Sequence, residues 1–90
     1  MLIRYIRDRK NRKVGVVVAI DADRVGWSMC HTTAGDKFDR DKGLTIAIGR
    51  AEHRPVSIIN VLSKEIPSSI RMELLSMLER AGRYFQGVTI

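Results

Sequence analysis

Cysteine is almost absent from this chain: Cys30 stands alone, so no disulfide can close within the sequence. Long apolar runs are absent too. The longest, Val14 to Ile20, has seven residues and contains Gly15, far short of the roughly 20 that span a bilayer. Nothing at the N-terminus has the apolar stretch of a secretory signal, which together with the solitary thiol points to a cytoplasmic protein. There is no internal repeat, low-complexity tract or lipidation signal. Nor does any run of residues carry the spacing of a catalytic or metal-binding motif, so no cofactor is expected.

What remains is a chain of 90 residues, 44% hydrophobic and 29% charged, enough for one hydrophobic core and one compact domain. So small a domain is marginally stable, and a partner or a second copy, as in a homodimer, would add to its stability. The formal net charge is +6, and it is unevenly placed. Arg4, Arg7, Arg9, Lys10, Arg12 and Lys13 crowd the first thirteen residues against Asp8 alone, whereas the other acidic residues are spread from Asp21 to Glu79. Concentrated positive charge steers phosphates or acidic protein surfaces toward it, even where single surface pairs are weak.

The pattern of apolar residues predicts three strands followed by two helices. Leu2 to Arg7 mixes β-favouring Ile3, Tyr5 and Ile6 with arginines, as an edge strand does. Arg9 to Lys13 reads as a turn centred on Asn11, a residue that tolerates left-handed backbone. Val14 to Ile20 is apolar on both alternating faces and suits a central strand covered on both sides. Asp21 to Arg24 supply a second turn. Gly26 to His31 form a third strand, with Trp27, Met29 and His31 on one face and Ser28 and Cys30 on the other.

After a loop at Thr32 to Lys37, the period changes. Leu44, Ala47, Ile48 and Ala51 recur at i, i+3, i+4 and i+7, one stripe of a helix over Asp39 to Glu52, with Asp39 or Asp41 as its N-cap. Gly43 and Gly49 weaken that helix and are expected to let it settle close to the sheet. Pro55 ends it. Val56 to Ser63 fits a strand or a helical turn equally and is left unassigned. From Pro67 onward, Ile70, Leu74, Met77, Leu78, Ala81 and Phe85 trace a continuous helical stripe closed by Gly87, with Arg71, Glu73, Glu79, Arg80 and Arg83 on the outer face. The fold class expected is therefore α+β, a three-stranded antiparallel meander packed by two helices.

Few residues invite chemistry. Cys30 beside His31 resembles a thiol with its base, but neighbours on a strand point to opposite faces and do not engage each other. His53 has no evident catalytic company. The run Asp36 to Gly43 brings three carboxylates together, yet Lys37, Arg40 and Lys42 are interleaved with them and would repel a cation, so capping and a solvated face are the better reading. Asp21 and Asp23 are ordinary turn residues. Trp27 and Tyr5 can stack on bases or anchor an interface, with core burial the favoured role for Trp27. Tyr84, near Arg80 and Arg83, is a candidate for surface contact. The strongest cluster is the basic turn itself: Arg9, Lys10, Arg12 and Lys13, with Arg7 on the adjoining strand. Arg50, Arg54, Arg80 and Arg83 are further candidates.

The stretch Gly26-Trp27-Ser28-Met29-Cys30, followed by the run from Asp36 to Ala51, resembles small proteins encoded by bacteriophages and prophages, which share a GWSxC…DxFxxxxGxxIAxxRA pattern over about a third of the chain. In that run Phe38 and Ile46 are expected to pack beneath the strand holding Trp27. The resemblance implies a phage or mobile-element setting. Such small proteins work by occupying a surface of a host macromolecule, often one of nucleic-acid metabolism or antiviral defence, as anti-CRISPR inhibitors do. The expected function is thus non-catalytic binding, with inhibition or modulation, of a host nucleic-acid-handling protein or nucleoprotein. The alternative is direct binding of nucleic acid through the basic turn. No membrane partner is implied.

Overall fold

The computed structural model describes residues 1–30 and 38–86. Three strands form one antiparallel sheet in the order β1 (Leu2–Arg7), β2 (Lys13–Asp21), β3 (Arg24–Met29). Two helices follow, α1 (Arg40–His53) and α2 (Arg71–Gln86), the second entered through a 3₁₀ turn at Ser68–Ile70. The expected α+β meander with two helices is the observed fold.

β2 is central because both of its faces are apolar. Val17 and Ala19 belong to one buried cluster, with Val25, Ile70, Leu74, Met77 and Ala81. Val16 and Val18 belong to another, with Ala47 and Ala51. α2 therefore covers one face and α1 the other. The stripes read from the sequence are the faces that pack: Leu44 and Ile48 join the α1 cluster, and Leu78 and Phe85 the α2 cluster. Asp39 is the N-cap of α1, its side chain accepting from the Lys42 amide at 3.1 Å.

Three expectations need correction. Neither Gly43 nor Gly49 brings α1 to the sheet: a Cβ on Gly43 would meet the Phe38 ring, and one on Gly49 would meet nothing within 4 Å. The glycine that permits the approach is Gly26 on β3, where a Cβ would fall on the Ala47 carbonyl oxygen and the Ala51 backbone. Ile46 does not pack beneath β3; it is exposed, because it lies off the Gly43–Ala47–Ala51 line that faces the sheet. The third strand begins at Arg24, two residues earlier than expected, since Arg24 pairs with Asp21 across a tight turn. His31, the loop from Thr32 to Lys37 and Gly87 lie outside the described residues.

The unassigned segment after Pro55 is neither strand nor helix but a chain of turns. Val56, Val61 and Ile66 point into the α2-side core, while Ile58, Ile59 and Leu62 stand in solvent. Local bonds set the turns: the Ser57 amide donates to Asn60 Oδ1 at 2.7 Å, and Ile66 N to the Ser63 carbonyl at 3.1 Å.

Candidate binding surface

The basic turn is a built structure, and Asp8 is its organiser. The Asn11 amide donates to the Asp8 carbonyl at 3.0 Å, and Asn11 itself sits at φ 61°, giving a turn followed by a left-handed residue, a standard three-residue hairpin loop. The Asp8 carboxylate accepts from the Lys10 amide at 2.9 Å, from the Arg12 amide at 3.0 Å and from Arg12 Nε at 3.0 Å. The Arg12 amide, foremost, holds the Asp8 carboxyl below its usual range, aided by the Arg12 side chain and the Lys10 amide. A register shift between Ile6 and Arg7 adds a bulge at the base of the loop.

The five basic residues of this tip consequently divide into two kinds. Arg7 donates from Nη1 to the Asn11 carbonyl at 2.9 Å, Arg12 is bound to Asp8, and the Lys13 ammonium lies 4.5 Å from the Tyr5 ring centroid. These three serve the hairpin. Arg9 and Lys10 are exposed at its apex, with their side chains outside the hydrogen bonds and ion pairs that hold the loop. The sequence showed the charge but not the division, because Asp8 reads there only as an opposing charge. The signal was an Asp three residues before an Asn that can turn left-handed.

Arg50 and Arg54, at the end of α1, line a second feature. Arg50 Nη1 donates to the Trp27 carbonyl at 2.9 Å, and its guanidinium lies 4.4 Å from the centroid of the Trp27 ring. Trp27 is therefore half-buried: it joins the α2-side core and carries a cation on its ring. Arg54, Asn60 and Glu65 line the same open depression of about 450 Å³. Toward the end of α2, Arg83 pairs with Glu79 at 3.5 Å, and Tyr84 is 53% exposed while meeting Phe85 edge-on at 4.9 Å. Arg80 is exposed on the same two turns.

Asp21 and His53 occupy a turn and a helix end, and His31, the neighbour of Cys30, lies outside the described residues. Asp21 accepts from Arg24 Nε and from the Asp23 amide, which lower its pKa in that order and fix it as a turn residue. His53 is exposed at the end of α1 beside Glu52. Among the described residues, no group of three or more His, Cys, Asp or Glu is placed to hold a metal ion, and no helix is long and apolar enough to cross a membrane. The chain matches no protein-family model, no curated protein and no solved structure.

Proposed function

We propose that this chain is a non-catalytic accessory protein, of the phage or mobile-element kind that its Gly26–Cys30 and Asp36–Ala51 runs resemble, acting in the bacterial cytoplasm. It binds a host nucleic-acid-handling protein or nucleoprotein and inhibits it. The observation that carries this reading is the preorganised hairpin tip: Asp8 and Asn11 fix the loop, and Arg9 and Lys10 are presented at its apex. A loop whose backbone is already fixed loses less entropy on binding than a mobile one, so a preorganised turn carrying two exposed cations suits recognition of an acidic surface. Arg50 and Arg54 beside Trp27 offer a secondary contact.

The test is a pull-down of host lysate with the tagged protein, with and without nuclease and at two salt concentrations. The expected result is a defined protein retained after nuclease and lost with Arg9→Glu/Lys10→Glu. That pair leaves the turn intact, whereas reversing Arg12 or Lys13 would also remove the contacts with Asp8 and Tyr5. A second reading, direct binding of nucleic acid, is favoured by the exposure of Tyr84 beside Arg80 and Arg83. It predicts retention of nucleic acid alone, falling with a salt slope of about −4 for four phosphate contacts on duplex DNA.

A further inference from the structure

The two edges of the sheet are treated differently. On β3 two outward carbonyls are occupied: the Val56 amide donates to the Val25 carbonyl at 2.9 Å, and Arg50 Nη1 to that of Trp27. Another strand on that edge would have to displace both. β1 forms the other edge, and among the described residues it has a single strand neighbour, β2. Along it runs an open groove of about 560 Å³, walled by Ile3, Arg4, Tyr5, Ile6 and Arg7, with Glu73 of α2 as its one acidic member. Arg4 Nε lies 2.7 Å from Glu73, so that carboxylate is already neutralised from within.

An unpaired strand edge is a template for another strand, and its side chains decide which one. A second copy of this chain would bring another arginine-bearing β1, and a further net charge of +6, toward Arg4 and Arg7. A strand bearing carboxylates would instead meet Arg7 at the tip end of the groove, beyond the Arg4–Glu73 pair, and its alternate apolar residues would find Ile3 and Tyr5 on the opposite face. We propose that β1 accepts an extended acidic segment of a partner protein as a fourth strand, running on toward Arg9 and Lys10 at the tip. The inference rests on the protein-binding reading above and names the chemistry of that partner.

The test uses the full chain, labelled with ¹⁵N, and a blocked peptide of alternating glutamate and valine as the probe. Binding should shift the β1 amides and slow exchange of those on its outer edge by about tenfold or more, as a new strand hydrogen bond requires. N-methylation of alternate peptide amides should weaken binding by about tenfold or more, and a lysine–valine peptide should not bind. Three results would overturn the inference: shifts confined to the tip or to the Trp27 depression, equal binding of the N-methylated peptide, or slow exchange of the outer β1 amides already present in a free dimer. A single-stranded oligonucleotide that shifts β1 where the acidic peptide does not would also overturn it. Loss of the lysate partner with Arg9→Glu/Lys10→Glu, alongside failure of the peptide, would remove the strand proposal and leave the tip-binding reading standing.

Discussion

The two faces of the sheet are held by opposite means. On the α2 side, large side chains fill the space: Ile70, Leu74 and Met77 are at most 2% exposed and meet Val17, Val25 and the turns of residues 56–66. On the α1 side the helix comes down to the backbone, with Ala47 and Ala51 against Gly26 and with Val16 and Val18 beside them. The first face gains stability from apolar area removed from water. The second relies on close approach, which sets many atoms in contact but leaves no room for a methyl group. Truncation should damage the first face most, and enlargement the second.

Leu74→Ala should be the more damaging of the two changes. Its side chain is fully buried on a helix stripe, and its removal leaves a cavity that the sheet cannot close, at a cost of about 3–5 kcal/mol. That is a large part of the stability of so small a domain, so the variant should unfold at much lower denaturant, measured by circular dichroism. Gly26→Ala tests the other face. The added methyl meets backbone atoms of α1, which cannot rotate away, and should cost about 2–3 kcal/mol by pushing the helix off β3. If Gly26→Ala were neutral, the distinction between the faces would fail.

Gly49→Ala sharpens the same contrast with the opposite sign. The position lies in the interior of α1 with open space where its Cβ would go. Alanine there should therefore stabilise by about 0.5–1 kcal/mol, raising the melting temperature by a few degrees. Two glycines within reach of one helix contact would then differ in sign, because one faces backbone and the other faces solvent.

That difference also marks where the sequence was legible. The α2 stripe is written as residues of one chemical kind at helical spacing, and it packs as read. Asn11 announces its left-handed turn by type alone. Gly26 is legible only in part: glycine within a strand signals close approach, but α1, which makes that approach, is distant in sequence and faces it with two alanines. The turns after Pro55 escape both periods, since Val56, Val61 and Ile66 are buried at intervals of five, set by serine and asparagine bonds rather than by a regular element. The division of the basic tip was hidden for a related reason. Which cations are consumed depends on where a carboxylate and a ring come to lie, and Asp8, Tyr5 and Asn11 meet them only once the hairpin has formed.

The smallest expected effect lies outside both faces, at the two turns of the meander. The Asp8 and Asp21 carboxyls are held below their usual pKa, by the Arg12 amide foremost in one case and by the Arg24 side chain foremost in the other. A carboxyl whose folded pKa is depressed contributes its full share above the unfolded value near 4 and loses it as pH falls through the depressed one. From pH 7 down to about 4 the turns should therefore be constant, and below that the Lys10, Arg12, Asp23 and Arg24 amides should lose their shifts and exchange faster. Trp27 fluorescence should hold over the first part of that fall, because its ring rests on the α2-side core and on the Arg50 guanidinium, away from both turn carboxyls. Asp8→Asn should abolish the acid transition at Lys10 and Arg12 while leaving it at Asp23 and Arg24. If Trp27 reported the same midpoint as the hairpin amides, the turns and the two faces would be one cooperative unit, and the tip would not be an independently built platform.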